Sequence, residues 1–326
     1  MILVTGGFGF IGSNLVNALC KKGEKVVICD YDKLYKKDYF SNTDYIVNFV
    51  EPKNIEDFIF SNKVNVVYHL GATSSTTSKD GNAIWLNNVF FSIKIWKICA
   101  TKKIRFIYAS SASTYGNGKK GFIDDNNLNL MSKLKPLNLY GWTKLQVDLR
   151  YLYSVSYLKL QPSQWVGLKF FNVYGSNEFH KHDMKSVILK TYLQIKKNHQ
   201  TNLFKSHNNK YQDGEQKRDF IYVKDCIKVL LWFLKNPNKS GIFNVGTGVS
   251  RTFLDLVSNV YKEMNRNINI KFIEMPENIR DKYQYETIAM MSNLRSIGYK
   301  NKFCSLEEGI KDYISHLENK NSYEIS

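Results

Sequence analysis

The stretch that decides the fold is MILVTGGFGFIG, residues 1–12. Ile2 to Val4 predict a short buried strand, and an apolar helical pattern follows the glycines. Glycines between a strand and a helix let bare backbone approach a pyrophosphate, while the helix N-terminus offers N–H donors and the positive end of its dipole. We therefore expect a dinucleotide site here, built on Gly6, Gly9 and Gly12.

The composition favours a globular protein with room for two modest domains. The chain has 326 residues, 43% of them hydrophobic, which allows a sizeable core. No apolar run approaches the roughly 20 residues of a membrane span, and the N-terminus lacks the layout of a signal peptide. The five cysteines are scattered without metal-ligand spacing and fit reduced thiols in a cytosol. We expect a cytoplasmic protein with no membrane contact and no metal site.

The net charge of +17 raises the question of a nucleic-acid partner. Only seven of the 46 basic residues are arginine, and the rest are lysines spread along an asparagine-rich chain. Sequence-specific nucleic-acid readers depend on arginine for bidentate base contacts, whereas lysine and asparagine codons are both AT-rich. We expect no nucleic-acid partner. A steep salt dependence of RNA affinity would support the opposite interpretation.

The second predicted strand, Lys25 to Cys29, ends at Asp30. An acid about twenty residues beyond such glycines commonly bonds the adenine-ribose hydroxyls; the alternative is an ordinary strand-end acid. The lysines that follow, including Lys37, could instead meet a 2′-phosphate. This local pattern leaves NAD and NADP open.

A third apolar strand, residues 65–70, runs into a loop of small residues at 71–77. Doubly wound folds place their ligand at the carboxyl ends of strands, so this loop is a candidate ligand contact. A hydroxyl-rich turn is the alternative. His69 lies within the strand pattern and is interpreted as a hydrogen-bonded core histidine.

A serine and a Tyr-x-x-x-Lys motif mark the next part of the candidate site. The strand of residues 104–110 ends at Ser111, and Tyr140 and Lys144 follow in a predicted helix. Four residues apart, these two side chains share one helix face. A lysine cation together with a cofactor ribose favours the phenolate, which would bring the pKa of Tyr140 toward the working range. Ser111 could hold a substrate oxygen opposite the tyrosine.

Together these motifs resemble the extended short-chain dehydrogenase/reductase superfamily of nucleotide-sugar epimerases, and within it the ADP-L-glycero-D-manno-heptose 6-epimerases. The resemblance spans essentially the whole chain. It is also carried by residues 71–77, 108–116, 136–140, 170–175, 178–184, 218–225, 231–234 and 240–248. It implies an α/β fold, a doubly wound parallel (Rossmann) sheet with a smaller α/β C-terminal domain. Residues 1–171 and 219–246 would bind NAD(P), and residues 172–218 and 247–326 the nucleotide sugar.

The resemblance also implies roles for individual residues. Tyr140 and Lys181 would be the two catalytic bases, and Lys144 would bind the nicotinamide ribose. The cofactor would contact Phe10, Ile11, Asp30, Tyr31, Leu70, Gly71, Ala72, Thr73, Ser74, Asn87 and Val173. The family's usual cofactor is NADP, with Lys37 or Lys53 on its phosphate; NAD stays an alternative. The substrate would contact Ser111, Asn172, Asp183, Lys190, Phe204, Lys205, Ser206, His207, Arg218 and Tyr283.

The implied activity is an isomerase reaction, the interconversion of the D-glycero and L-glycero forms of ADP-β-D-manno-heptose for lipopolysaccharide inner-core synthesis. Transient oxidation at C6″ allows the hydroxyl to return on the other side of this carbon. The hydroxyl protons of the two epimers therefore lie on opposite sides, and because one fixed base cannot serve both positions, the reaction calls for two bases. Arg218, with its planar fork, suits the pyrophosphate. The family also implies homo-oligomers, reportedly pentamers.

Three positions depart from the family pattern, and three other functions compete. Tyr31 replaces a small amide, Asp183 a serine and Lys190 a histidine. A UDP-hexose 4-epimerase and a non-catalytic NADP-binding protein are the alternatives that remain open. A 4,6-dehydratase is disfavoured because Ala112 and Ser113 stand where elimination needs a carboxylate pair.

Overall fold

The computed structural model describes residues 1–31, 39–40, 42–74, 80–280 and 283–324. The strands are β1 (Ile2–Thr5), β2 (Val26–Cys29), β3 (Ile46–Val50), β4 (Val66–His69), β5 (Arg105–Ser111), β6 (Trp165–Phe170), β7 (Asn172–Tyr174), β8 (Thr201–Phe204), β9 (Lys217–Tyr222), β10 (Gly241–Val245), β11 (Ser250–Thr252) and β12 (Ile270–Ile273). The helices are α1 (Phe10–Cys20), α2 (Ile55–Ser61), α3 (Gly81–Ile84), α4 (Phe91–Thr101), α5 (Leu128–Met131), α6 (Leu139–Ser156), α7 (Val187–Asn198), α8 (Val223–Lys235), α9 (Phe253–Glu263), α10 (Glu277–Arg280), α11 (Ser292–Ser296) and α12 (Leu306–Glu324). A π-helical segment, Trp85–Phe90, joins α3 to α4.

Seven parallel strands form the large sheet, in the order β10-β6-β5-β4-β1-β2-β3. Most of these strands are buried along their whole length, as expected for a parallel sheet covered by helices on both faces. The chain runs outward from β1 to β3 and then returns to β4 on the other side of β1. This reversal opens a crevice at the carboxyl ends of β1 and β4. The doubly wound fold predicted from the glycine stretch is confirmed.

Two apolar cores hold the helices against the large sheet. One joins α1 and α8 to one face through side chains such as Leu15, Leu19 and Leu230. The other joins α2, α4 and α6 to the opposite face, with the Trp96 and Tyr151 rings stacked 4.1 Å apart. His69 is buried between Thr5 Oγ1 (2.7 Å) and Ser92 Oγ (2.8 Å). The interpretation of this histidine as a hydrogen-bonded core residue is therefore confirmed.

A smaller α/β region follows β6. Its three-stranded sheet has the order β11-β9-β7, and β8 pairs with β12. A third core joins these strands to α7, α9 and α12. The predicted boundary at residue 219 falls inside β9, which pairs with β7 and β11, whereas α8 and β10 pack with the large sheet. The division into two domains stays a prediction.

Two helices of this smaller region begin at residues whose side chains cap the helix N-terminus. Ser186 accepts a hydrogen bond from Leu189 N at the start of α7, and Thr252 and Asp255 form a capping box on α9. Among the residues that the structure describes, no helix is both long and apolar enough to cross a membrane.

Candidate active site

A cleft of about 1770 Å³ lies at the carboxyl ends of the large sheet and extends to the smaller region. Almost all of the predicted site residues line it. They are Gly6, Gly9, Phe10, Ile11, Gly12, Asp30, Tyr31, Lys53, Leu70, Gly71, Ala72, Thr73, Ser74, Asn87, Ser111, Tyr140, Lys144, Asn172, Val173, Lys181, Asp183, Lys190, Phe204, Arg218 and Tyr283. We call the part around Gly6, Gly9, Gly12 and Gly71 the glycine end, and the part around Lys181, Lys185, Lys190 and Arg218 the cation end.

Four predicted residues are not brought to the cleft by the described structure. Lys37 lies outside the described residues. Lys205, Ser206 and His207 do not line the cleft; Lys205 and His207 instead face Glu274, at 2.8 and 3.3 Å. Their substrate role stays a prediction.

The glycine end is built by backbone segments in close contact. Gly6 has φ of +67°, and a Cβ there would lie 2.5 Å from Gly71 Cα. A Cβ on Gly12 would overlap the carbonyl oxygen of Gly6. Gly9 precedes α1 without a side-chain cap, so the N–H groups of the first turn remain available to a ligand. This geometry fits a pyrophosphate at the helix N-terminus.

Asp30 lies where β2 ends, inside the cleft. Its Oδ2 accepts from Phe8 N and its Oδ1 from Tyr31 N, both at 2.9 Å. Burial raises the pKa of Asp30, and these backbone N–H groups oppose that effect. Each oxygen keeps a second lone pair, so the carboxylate can also accept the two hydroxyls of a ribose.

Tyr140 projects from the first turn of α6, which Asn138 caps by accepting from Gly141 N at 2.8 Å. The Ser111 side chain acts to lower the pKa of this phenol, and Ser111 Oγ lies 2.8 Å from Ser113 Oγ. A Cβ on Gly141 would lie 2.6 Å from Ser113 O, so a glycine is needed for α6 to approach the end of β5 this closely. The structure thus places the serine opposite the tyrosine.

Lys144 lies one helical turn after Tyr140 and is 4% exposed. Its Nζ donates to Ala109 O at 2.7 Å, and burial lowers its pKa to about 8. Burial raises the pKa of Tyr140, and the Ser111 hydroxyl opposes that rise. Because the Lys144 ammonium is directed at Ala109, the groups of the chain do not by themselves lower the pKa of Tyr140 toward neutral pH. The predicted lowering of this pKa therefore depends on the ribose of the cofactor.

Lys181 enters the cleft from a 3₁₀ turn, Phe179–Met184, that follows β7. Its Nζ lies 5.0 Å from the centroid of the Phe10 ring, at the start of α1. Burial lowers the pKa of Lys181, Glu178 opposes this effect and Lys190 adds to it. Lowering the pKa of a lysine favours the neutral amine, which is the form that can act as a base. Tyr140 and Lys181 therefore reach one cleft from separate elements.

Arg218 is the most enclosed cation of the cation end. Its guanidinium carbon lies 5.0 Å from the Tyr283 ring and 5.5 Å from the Phe253 ring, and Nη1 donates to Lys217 O at 2.7 Å. Burial lowers its pKa, and Tyr283 opposes this effect. Two rings thus hold a planar fork suited to phosphate oxygens.

Several residues that line the cleft were not predicted from the sequence. Lys185 adds a cation to the lining of the cleft, in addition to Lys190, whose Nζ donates to Asp183 O at 2.6 Å. Ser113 could have been found from its spacing to Ser111. Phe253 had no sequence signal, because it reaches Arg218 through the pairing of β9 with β11.

Comparison with known proteins identifies the class. The profile of the NAD dependent epimerase/dehydratase family matches residues 2–246, and the chain belongs to this family. It is 42% identical to the ADP-L-glycero-D-manno-heptose-6-epimerase of Fusobacterium nucleatum, over 99% of this chain and 100% of that protein.

Two solved structures share the whole fold. One is the Helicobacter pylori ADP-L-glycero-D-manno-heptose-6-epimerase, with a TM-score of 0.76 and 27% identity over 97% of this chain and 96% of that one. The other is the UDP-N-acetylglucosamine 4-epimerase of Methanobrevibacter ruminantium, with a TM-score of 0.83 and 25% identity over 98% of both chains.

Proposed function

We propose that the protein interconverts ADP-D-glycero-β-D-manno-heptose and ADP-L-glycero-β-D-manno-heptose at C6″, for lipopolysaccharide inner-core synthesis. The observation that carries this proposal is the entry of two basic groups, Tyr140 and Lys181, into one cleft from different elements. An epimerase acting on an exocyclic carbon must exchange a hydroxyl proton on either side of the reacting atom. The full-length relationship to heptose epimerases supports the same substrate.

We propose NADP as the resident cofactor, with NAD as the alternative. The backbone of Gly6, Gly9 and Gly12 and the first turn of α1 would hold the pyrophosphate, Asp30 the adenine ribose and Lys144 the nicotinamide ribose. When bound, the nicotinamide supplies reversible hydride transfer. Lys53, which lines the cleft and also pairs with Glu51 at 2.6 Å, is the described lysine offered for a 2′-phosphate.

In this mechanism the chain's residues move one proton in each direction. Tyr140, as phenolate, takes the C6″ hydroxyl proton of one epimer while Ser111 holds the oxygen. Lys181, as neutral amine, takes the corresponding proton of the other epimer. As the second epimer forms, the carbonyl oxygen receives its proton from the opposite base, Lys181 as ammonium in one direction and Tyr140 as phenol in the other, and proton exchange with solvent then restores both bases.

The cation end would bind the nucleotide diphosphate. Arg218, held near the Tyr283 and Phe253 rings, would contact the pyrophosphate. Lys190 and Lys185 would add positive charge to the same end of the cleft. Holding the diphosphate far from C6″ orients the sugar for both bases. The assembly into homo-oligomers of five copies, the two-domain division and the cytoplasmic location stay predictions.

The test compares substrates. Purified protein would be incubated with ADP-D-glycero-D-manno-heptose and, separately, with UDP-galactose and UDP-N-acetylglucosamine, and the products read by NMR. We expect epimerisation of the heptose alone, without added cofactor. The structural match to a UDP-sugar 4-epimerase makes that activity the second candidate; turnover of a UDP-hexose and not of the heptose would replace the proposal by it.

A further inference from the structure

Glu178 is a buried carboxylate beside the proposed active site, with a relative exposure of 0%. Its Oε1 accepts from Gly175 N at 3.3 Å and from Ser186 Oγ at 2.6 Å, and its Oε2 accepts from Ser186 N at 2.6 Å. These donors come from the two ends of residues 175–186, the segment that carries Lys181. We call this segment the Lys181 loop. One carboxylate thus closes the loop across its base.

Glu178 is also hydrogen-bonded to the turn that carries Lys181 and, through Ser186, to α7. Lys181 N donates to Glu178 O at 3.1 Å. Ser186 Oγ, which donates to the carboxylate, also accepts from Leu189 N and caps α7. The backbone of Lys181 and the start of α7 are therefore held relative to one side chain.

The other side of the Lys181 loop is attached to α1. Asn14 Nδ2 donates to Ser176 O at 2.9 Å, and Ser176 Oγ donates to Asn14 Oδ1 at 3.0 Å. Asn177 Nδ2 donates to Ser13 Oγ at 3.1 Å. Since α1 begins at Phe10, the ring under the Lys181 ammonium, these bonds fix the loop on the helix that faces the lysine.

We propose that Glu178 is a positioning residue, whose carboxylate closes the Lys181 loop and so holds the Lys181 amine in the cleft above Phe10. This inference rests on the proposed function, in which Lys181 is one of the two bases. Glu178 does not line the cleft, and it acts through the backbone bonds of the loop.

The charge of Glu178 gives the proposal a measurable signature. Among the described side chains, Glu178 raises the pKa of Lys181 while Lys190, on α7, lowers it. Tyr313, on α12, faces Glu178, and burial together with this carboxylate raises the pKa of Tyr313, so the phenol stays neutral. Loss of the negative charge would therefore lower the pKa of Lys181.

The experiment compares Glu178→Gln with Glu178→Asp. Glutamine presents an amide N–H₂ to groups that are donors, so the loop loses part of its closure and kcat for ADP-heptose should fall about tenfold or more. KM should change less than kcat, because Arg218, the proposed contact of the diphosphate, lies on β9 and not on the Lys181 loop. The limb of the pH–rate profile that reports Lys181 should move to lower pH. Aspartate keeps the charge but is shorter, so kcat should fall without that displacement.

Asp225→Asn is the matched control. Asp225 is equally buried and accepts from Cys304 N at 2.7 Å and Lys228 Nζ at 2.8 Å, away from the cleft. This variant should lose stability but keep the pH profile of the parent. An unchanged kcat and profile in Glu178→Gln, or the same displacement in Asp225→Asn, would overturn the proposal.

A second measurement does not depend on turnover. The acetylation of Lys181 by acetic anhydride, followed by peptide mass spectrometry from pH 6 to 10, reports the neutral amine directly. The pH at half-maximal labelling should be lower in Glu178→Gln than in the parent protein and unchanged in Glu178→Asp. Identical curves in all three would overturn the positioning role. Absence of heptose turnover in the parent protein would instead refute the proposed function.

Discussion

The glycine end and the cation end of the cleft are built in different ways. At the glycine end the chain presents backbone, and Gly6 and Gly12 are required because other backbone atoms occupy the space of a Cβ. At the cation end it presents side chains from separate segments, such as Arg218 between Phe253 and Tyr283. A backbone cradle suits a group shared by many enzymes, whereas a side-chain set can change with the substrate. On the proposed function, we expect substrate specificity to reside at the cation end.

Removal of either proposed base, Tyr140 on α6 or Lys181 at the cation end, should have the largest effect on activity. Tyr140→Phe and Lys181→Met should each lower kcat for ADP-heptose by about 10²–10⁴-fold, the range for a general base. Tyr157→Phe and Lys196→Met, at exposed positions outside the cleft, are the matched controls. Full activity in both active-site variants would refute the two-base mechanism.

Replacing a glycine by alanine tests whether the close backbone contacts at the glycine end exclude a side chain. The Cβ of Gly12→Ala would overlap the Gly6 carbonyl oxygen, so we expect a loss of about 2–4 kcal/mol in the free energy of unfolding and weaker NADPH binding. Gly81→Ala, with no atom within 4 Å of its Cβ, should be neutral or slightly stabilising. Urea unfolding and NADPH titration provide the measurements. Equal stability of the two variants would contradict the close backbone approach.

Replacing Arg218 tests the role of side chains at the cation end. Arg218→Lys keeps the charge but loses the planar fork between two rings, so KM for ADP-heptose should rise about 10- to 100-fold with a smaller change in kcat. Arg251→Lys, whose guanidinium pairs with Glu307 at 2.7 Å away from the cleft, is the control. NADPH affinity should be the same in both variants; its loss in Arg218→Lys would break the distinction between the two ends.

The smallest expected effect concerns stability and pH at Lys144. Its pKa is lowered to about 8 in the folded chain and is about 10.4 when unfolded, so between these values the unfolded state binds more protons. Folding stability therefore rises with pH across this window. Below pH 8 the free-energy cost of burying the charged Lys144 ammonium is fully present. Any stability advantage of Lys144→Met over the parent protein at pH 7 should shrink by pH 10. Urea unfolding at both values checks this; an advantage that grows with pH would contradict the sign.

Much of the fold was predictable because it depends on local patterns. Glycine spacing after a short apolar strand predicts a strand–turn–helix, and the four-residue spacing of Tyr140 and Lys144 puts both on one helix face. Ser111 at the end of β5 follows from the position of ligands at strand ends in a doubly wound sheet. These predictions need only steric rules and periodicity.

Other features depended on which distant segments pack together. The substrate role of Lys205 and His207 stays a prediction, and only the structure shows that both face Glu274 beside the paired strands β8 and β12. Glu178 occurs in a recognised motif, but nothing in its neighbours along the chain reveals a carboxylate with 0% exposure. Burial and pairing are properties of the folded chain, so no periodicity could have shown them.

The sequence by itself determined the doubly wound sheet, the glycine end and the Tyr140–Lys144 pair, because strand burial, glycine sterics and helical spacing act over short stretches of chain. Only the tertiary structure decided the electrostatics and the second half of the cleft. It brings Lys181 over Phe10, places Glu178 at the base of its loop, and encloses Arg218 between two rings. Desolvation and ion pairing shift the pKa of a side chain only after remote segments have excluded water around it.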